Sequence, residues 1–250
     1  MSGRRILLEV CVDSPEGLLA AVAGGADRIE LCSALAASGL TPSPGLMRLA
    51  AQVPIPVYAM IRPRAGDFRY SAAEVDAMLA DIDAARVAGL AGVVFGASDA
   101  AGALDEPLLA RLCAHAAGLG LTLHRAFDVV PDFAAALETA VELGFERILT
   151  SGGALTALEG ADRIAGFVAQ AAGRIGVLAG CGVSARNAAQ IVRRTGVREI
   201  HGSCSRAVGE GGLAPRERAL GFVDPAERVT DKASVAALVA ALSGQDVAEG

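Results

Sequence analysis

The chain has 250 residues, 53% of them hydrophobic, and a formal net charge of -6 at pH 7. This length and apolar content predict one large domain, residues 1–250, and argue against a disordered chain. The acidic balance, without a basic cluster, argues against nucleic acid as a partner. The first apolar run is too short for a signal-peptide core or a membrane span, so we expect a cytoplasmic protein with no membrane partner.

Eight short runs of β type alternate with Ala- and Leu-rich stretches of helical spacing. The helical stretches include 71–88 and 132–143, and Ser14 and Ser184 stand where N-caps are expected. Parallel strands need such crossovers, and eight of them in about 200 residues match an α/β fold of the (β/α)8 TIM-barrel type. The predicted strands are 6–10, 28–31, 57–61, 92–95, 121–123, 147–150, 175–179 and 199–201.

Three glycines support this topology. Gly25, Gly144 and Gly196 each end a predicted helix and lead into a strand, as expected at the bottom of such a barrel. The alternative is an open doubly wound sheet, but the first turn lacks the G-x-G-x-x-G pattern usual for nucleotide-binding sheets. Residues 210–231 form the one long irregular connection. We expect a rim loop or a contact with a partner subunit there, followed by a C-terminal helix over 232–243.

The first two predicted strands end in the same tripeptide pattern. These copies are Glu9-Val10-Cys11 and Glu30-Leu31-Cys32. Because residues i and i+2 of a strand share a face and neighbouring strands lie about 4.8 Å apart, two carboxylates and two thiols are expected to converge. Two thiolates suffice for the soft ion Cu(I), although nearby carboxylates disfavour thiolates. The alternative is that both cysteines are small buried apolar side chains.

The other cysteines, at positions 113, 181 and 204, add no C-x-x-C spacing. A disulfide framework or a tetrathiolate zinc site is therefore not expected. We expect reduced thiols throughout the chain.

Two histidines lie at strand ends on the same side of the predicted barrel. His124 follows the fifth strand and His201 belongs to the eighth. Histidine exchanges protons near neutral pH, and Glu9, Glu30 or Asp128 could orient it as a general acid or base. The alternative is a buried histidine with a structural role only.

Two arginines flank a proline after the third strand. The proline fixes the turn, so Arg62 and Arg64 are both expected to face the barrel opening. An anionic substrate would suit two guanidinium groups held in this way. The alternative is an internal ion pair with Asp67 or Glu30.

A glycine-rich turn follows the seventh strand. Gly180, Gly182 and Ser184 precede a predicted helix, an arrangement similar to the phosphate cradle of many barrels. Glycine turns also occur for conformational reasons alone.

Two absences narrow the range of possible catalytic mechanisms further. The sole lysine, Lys232, follows the last strand, which excludes a barrel-strand Schiff base, and no G-x-S-x-G element is present.

Several segments, in order and at fixed spacing from about residue 5 to 208, resemble the CutC copper homeostasis family. The resemblance implies a cytoplasmic (β/α)8 barrel, a homo-oligomer such as a dimer or tetramer, and copper handling with Cu(I) on Cys11 and Cys32. Two departures are Ala65, in place of one glycine of an Arg-Gly-Gly-Asp loop, and a loosely matching tail after Arg206. The segments are Leu8-Glu9-Val10-Cys11, Ala26-Asp27-Arg28-Ile29-Glu30-Leu31-Cys32, Gly39-Leu40-Thr41-Pro42-Ser43, Ile61-Arg62-Pro63-Arg64-Ala65-Gly66-Asp67-Phe68, His124-Arg125-Ala126-Phe127-Asp128 and Leu149-Thr150-Ser151-Gly152.

Two functional hypotheses follow. The first is a cytosolic copper protein that binds Cu(I) through Cys11 and Cys32. The second is an enzyme that acts on a small anionic substrate, such as a sugar acid or sugar phosphate, by general acid–base chemistry. A divalent metal on Glu9, Glu30 and His124 is a further option for that enzyme. Its candidate catalytic residues are Glu9, Glu30, Arg62, Arg64, Asp67, His124, Asp128 and His201.

Overall fold

A computed structural model of the protein describes residues 5–208, 215–222 and 227–244. Eight parallel strands close into a barrel in chain order, so the (β/α)8 prediction is confirmed. Most predicted strands match within two residues at each end. The strands are β1 Leu7–Val12, β2 Arg28–Leu31, β3 Val57–Met60, β4 Gly92–Phe95, β5 Gly120–Leu123, β6 Arg147–Thr150, β7 Gly176–Ala179 and β8 Glu199–Gly202.

Helices connect successive strands on the outside of the barrel. A further helix, α9, follows the last strand and packs against α1 and α7, which completes the outer ring. No helix in the described ranges is both long and apolar enough to cross a membrane. The helices are α1 Pro15–Gly24, α2 Pro44–Ala50, α3 Ala72–Ala88, α4 Glu106–His115, α5 Phe133–Glu142, α6 Ala161–Ala171, α7 Ala188–Thr195, α8 Pro215–Ala219 and α9 Lys232–Leu242.

Helix α1 begins as predicted, whereas α7 does not. The Ser14 hydroxyl accepts a hydrogen bond from the N–H of Gly17, so Ser14 is the N-cap of α1. Helix α7 begins only at Ala188, with Asn187 in the N-cap position, and the prediction for Ser184 is wrong. The backbone N–H of Ser184 donates to the Asn187 side chain at 2.8 Å, which holds an extra turn before the helix.

The segment predicted as a rim loop lies partly outside the described residues, at 210–214 and 223–226. Its described part contains α8 and a strand, β10 Arg228–Thr230, which pairs antiparallel with β9 Ser205–Ala207. A contact of this segment with a partner subunit stays a prediction.

Charged side chains fill the barrel interior near the amino-terminal ends of the strands. Arg28 donates to Glu9 and, at 2.5 Å, to Glu199. Arg147 lies 3.3 Å from Glu199, and both guanidinium groups pack on the ring of Tyr58, at 5.6 and 4.8 Å from its centre. Buried charges are tolerated only when they are paired in this way. This ionic layer supports the polar groups above it.

Candidate functional site

A cavity of about 600 Å³ opens at the carboxyl ends of the strands. Side chains that follow several different strands line it, as expected where barrel enzymes carry their sites. Arg125, Phe68 and Cys181 line it as well. The predicted site residues that contribute to its lining are Cys11, Glu30, Arg62, His124, Asp128, Gly182 and His201.

Three donor groups converge at one side of this cavity. Strand pairing places Cys11 beside Glu30, and Glu9 beside both Arg28 and His201. One donor atom each of Cys11, Glu30 and His201 lies within 4.8 Å of the others, and all three residues are buried. A sulfur, an oxygen and a nitrogen at this separation can hold a metal ion.

His201 is held between two carboxylates. Its Nδ1 atom lies 2.8 Å from Glu9 Oε1, and its Nε2 atom lies 3.8 Å from Glu30 Oε2. Burial acts to lower the pKa of His201, but Cys11 and Glu30 outweigh it and raise the pKa well above its ordinary value. Burial also acts to raise the pKa of Glu9, yet Arg28 and His201 hold it at about 2. Glu9 is therefore a carboxylate that orients the imidazole.

The Glu30 carboxylate has an unused oxygen. Burial raises the pKa of Glu30, and Oε1 is buried without a hydrogen-bond partner among the described residues. Its other oxygen, Oε2, accepts from the Cys32 thiol at 3.5 Å. An unsatisfied buried oxygen of this kind indicates a site for a cation or a donor.

Cys32 lies outside the group of three. It is fully buried and packs with Met60 and Val94 inside the barrel. Burial, and then the Glu30 charge, raise the pKa of its thiol well above the usual range. The two tripeptides are offset in the barrel, since Cys11 pairs with Glu30 and Glu9 with Arg28. Of the two acids and two thiols expected to converge, only Glu30 and Cys11 belong to the group of donor atoms that could share an ion.

His124 occupies another environment. Its Nδ1 accepts the N–H of Ala126 at 3.1 Å, and Nε2 has no partner in the described ranges. Burial, and then the charge of Arg62, lower the pKa of His124 to about 3. The imidazole is therefore neutral, with its proton on Nε2. The prediction that a carboxylate orients His124 is wrong, because neither ring nitrogen has a carboxylate partner among the described residues. The ring packs on Phe68 instead, with 4.7 Å between the ring centres.

Arg62 is buried beside the cavity and binds loop carbonyls. One terminal nitrogen donates to Ala37 and Gly39 at 3.0 and 3.1 Å, and the other donates to Gly66 at 2.9 Å. Its Nε is buried and has no partner within the described residues. Its guanidinium packs on Phe68, 5.3 Å from the ring centre.

Arg64 does not line the cavity, so the prediction that both arginines face it is wrong. Its guanidinium pairs with Glu74 at 2.6 Å and Asp67 at 2.9 Å, which confirms the ion-pair alternative for Asp67. The cause is the start of α3, where Glu74 forms a capping box with Ser71 and attracts the guanidinium outward.

Asp128 lines the cavity with an engaged carboxylate. It accepts hydrogen bonds from Arg125 at 2.7 Å, Thr150 at 2.5 Å, and the N–H groups of Ser151 and Gly153 at 3.0 Å. Asp128 therefore joins the loops after β5 and β6. A catalytic role for it stays a prediction.

The glycine turn after β7 has a packing reason for at least one of its glycines. A Cβ at Gly180 would lie 2.6 Å from a Leu149 methyl group. Cys181 and Gly182 have left-handed φ angles of 78° and 69°. Gly182 reaches the cavity, while Ser184 bonds to Asn187. Cofactor binding by Gly180, Gly182 and Ser184 stays a prediction.

Sequence reasoning missed Arg28 and Glu199, which support Glu9 and hence His201. Both stand at the first residue of a strand, where polar residues are common on the outer rim. Arg28 precedes Glu30 by two residues, so both side chains lie on the same face of β2. This spacing could have indicated that Arg28 also points into the barrel.

A family model described as the CutC family matches residues 6–206. A CutC family protein of Caulobacter vibrioides is 62% identical over 244 residues, covering 97% of this chain and 99% of the relative. One of Sinorhizobium medicae is 60% identical over 238 residues, covering 95% and 96%. A crystal structure of CutC from Streptococcus agalactiae, assigned to copper homeostasis, gives a TM-score of 0.76 at 35% identity, covering 79% of this chain and 98% of that one. On these matches, this chain belongs to the CutC family.

Proposed function

We propose that the chain binds Cu(I) at Cys11, Glu30 and His201, in keeping with the copper homeostasis role assigned to the Streptococcus agalactiae relative. The observation that carries the proposal is the approach of three donor atoms to within 4.8 Å of one another beside the cavity. Cu(I) favours soft thiolate ligands, accepts imidazole and needs few donors. Cys11 and His201 can hold it, with Glu30 close by, and binding displaces the imidazole proton that Cys11 and Glu30 favour in the metal-free chain.

The hydrogen bond between His201 and Glu9 supports the ligand role. Metal-binding histidines usually donate their second ring N–H to a carboxylate, which fixes the ring and its tautomer. The Nδ1 atom of His201 is engaged with Glu9 in this way, and Nε2 is directed toward Glu30. Arg28 in turn binds Glu9. Two successive charged partners thus orient the ligand.

The unpartnered oxygen of Glu30 extends the proposal to divalent ions. A carboxylate is a better ligand for a harder divalent ion than for Cu(I). Such an ion would use Cys11, Glu30 and His201 in place of the predicted set of Glu9, Glu30 and His124. The reason is that the Glu9 carboxylate is already bound by its own partners, and His124 is not among the converging donors.

Anaerobic competition for Cu(I) against a strong chelator tests the copper proposal. We expect one ion per chain, and a loss of affinity of at least about tenfold in Cys11→Ser, since loss of even an outer partner of a metal ligand typically weakens binding 10- to 100-fold. Cys113→Ser is the matched control, because Cys113 is a half-buried cysteine on α4 that does not line the cavity.

Unchanged affinity in Cys11→Ser would contradict the proposed site. Cys32→Ser separates the two ligand sets. Affinity retained in that variant favours Cys11 with His201, whereas a loss equal to that of Cys11→Ser favours the two-cysteine pair predicted from the sequence.

A second candidate function is an enzyme with a small anionic substrate. The cavity of about 600 Å³ favours it, because that volume is typical of small-molecule sites and far exceeds the space one ion needs. Turnover in a screen of sugar acids and sugar phosphates should disappear in His201→Asn. It should persist in His115→Asn, since His115 lies on the outer helix α4. Equal rates in wild type and His201→Asn would exclude His201 as the acid or base.

A cytoplasmic location and assembly as a dimer or tetramer remain part of this proposal. Light scattering on the full chain measures the assembly directly. A monomer across the concentration range would contradict the oligomer.

A further inference from the structure

We infer that the cavity binds a small organic oxyanion, a carboxylate or a phosphate ester, through the Nε–H of Arg62 and the Nε2–H of His124. This inference rests on the second candidate function, whose recognition chemistry it names. It requires neither turnover nor copper, so its success or failure can be measured separately.

The charge of Arg62 has no counter-ion among the ion pairs of the described residues. Its side chain is 6% exposed, and the hydrogen-bond partners described for it are carbonyl oxygens of Ala37, Ser38, Gly39 and Gly66. Carbonyls satisfy N–H donors but leave the positive charge uncompensated, and a buried uncompensated charge is costly. An anion in the adjoining cavity would neutralise it.

His124 offers a second donor beside this charge. Because Nδ1 accepts the N–H of Ala126, the neutral ring must carry its proton on Nε2. That nitrogen is buried without a partner among the described residues, and the His124 side chain lines the cavity. The pKa of about 3 that burial and Arg62 give His124 agrees with a neutral hydrogen-bond donor rather than a base. An acceptor oxygen on a ligand would satisfy it.

The fold brings these two donors together. Both pack on Phe68, the guanidinium carbon of Arg62 at 5.3 Å and the His124 ring at 4.7 Å from its centre. Gly96 follows β4, which lies between β3 and β5, and a Cβ there would stand 2.6 Å from His124 Nδ1. Glycine at this position thus leaves room for the imidazole.

The rest of the cavity is suited to an organic ligand. Met60, Leu35 and Leu149 contribute apolar lining, and the volume is much larger than a bare phosphate or carboxylate needs. A ligand whose charged end meets Arg62 and His124 would extend its carbon skeleton toward Cys11 and His201.

Histidine labelling gives a direct test on the full chain. The chain has three histidines, so an imidazole ¹⁵N spectrum carries few signals. Pyruvate, inorganic phosphate and glycerol 3-phosphate serve as anionic probes, and glycerol is the neutral control. We expect a saturable shift of the His124 Nε2 signal with pyruvate or with the phosphates, and no shift of His115. An unmoved His124 signal for every anion, or an equal shift with glycerol, would overturn the inference.

Two variants separate binding from folding. Arg62→Gln should weaken anion binding at least about tenfold, as expected when a charged hydrogen bond is lost. Arg64→Gln is its control, because Arg64 lies outside the cavity lining. Arg62 also holds loop carbonyls, so His124→Phe serves as a second variant that keeps the packing on Phe68 and removes the N–H. Wild-type anion affinity in His124→Phe would overturn the inference.

The Cu(I) competition assay on the same variants distinguishes the two proposals. Normal Cu(I) affinity together with anion binding lost in His124→Phe supports the anion site. Anion binding that is indifferent to both variants overturns it and leaves the copper proposal untouched.

Discussion

Two walls of one cavity place histidine in contrasting electrostatic environments. The first wall comprises Cys11, Glu30 and His201 on β1, β2 and β8, and the second comprises Arg62 and His124 after β3 and β5. Negative neighbours raise the pKa of His201, whereas burial and Arg62 lower that of His124 to about 3. The same residue type is thus a charged or ligating group on one wall and a neutral donor on the other.

The two walls also differ in the groups that support them. Under the first wall, Glu9 links His201 to Arg28, so electron-pair donors are concentrated above a paired ionic layer. The second wall has N–H donors and an arginine whose charge meets only carbonyl oxygens among its described hydrogen-bond partners. A cation suits the first wall, and an anion suits the second.

The largest expected effect comes from removing the charge beneath the first wall. Arg28→Met leaves Glu9 buried without its main partner and should lower the free energy of unfolding by about 3–5 kcal/mol. Urea unfolding measures this loss. Arg111→Met is the control, because Arg111 forms an exposed ion pair with Asp76 at 3.6 Å that contributes less than about 1 kcal/mol. A loss in Arg28→Met no larger than in the control would show that the first wall does not depend on the ionic layer.

The free energy of unfolding should also depend on pH through Glu9, and this effect should be smaller than that of Arg28→Met. The pKa of Glu9 is about 2 in the folded chain and 4.5 ordinarily, so its contribution is fully present above about pH 4.5 and is lost as pH falls toward 2. A shift of this size corresponds to roughly 3 kcal/mol. We expect Glu9→Gln to lose that part of the pH dependence in urea unfolding between pH 5 and 2. Parallel curves for wild type and Glu9→Gln would contradict the assignment.

The barrel could be predicted well from the sequence because the patterns that indicate its strands and helices are local. The β-type runs at 28–31, 92–95 and 147–150 coincide with β2, β4 and β6, and every residue of these strands is buried, as expected for parallel strands covered on both faces. The site was predicted less completely because it depends on register. The closed barrel sets the stagger between β1 and β2, which places Cys11 beside Glu30 and leaves Cys32 two residues further along the chain. The two tripeptides do not encode that stagger.

The prediction for Arg64 was wrong for a different reason. The proline turn gave no information on side-chain direction, because the Arg64 guanidinium is paired with Glu74 in the first turn of α3. A capping box at Ser71 and Glu74 was readable in the sequence, yet its attraction for a distant arginine required the three-dimensional fold.

Thiol reactivity sharpens the contrast between the two repeated cysteines. Cys11 lines the cavity, whereas Cys32 is fully buried with a raised pKa. Alkylation followed by peptide mass spectrometry should find Cys11 modified faster, because burial both keeps the reagent from Cys32 and raises the pKa of its thiol. Added Cu(I) should protect Cys11. Equal rates for both thiols would mean that Cys32 reaches the cavity and would favour the two-cysteine ligand set.

The last prediction is that the ¹⁵N signals of His124 do not change with pH in the neutral range. Across about pH 5 to 8, the range where histidine ordinarily titrates, the ¹⁵N signals of His124 should stay those of the neutral Nε2–H tautomer. His201 should lose its proton at a higher pH than an ordinary histidine, because Cys11 and Glu30 outweigh burial and raise its pKa. Titration of His124 near its usual pKa would mean that Arg62 and burial do not act on it, and the second wall would then present a base rather than a donor. The two walls would differ only in their ligands for metal, and the reason to expect an anion in the cavity would be lost.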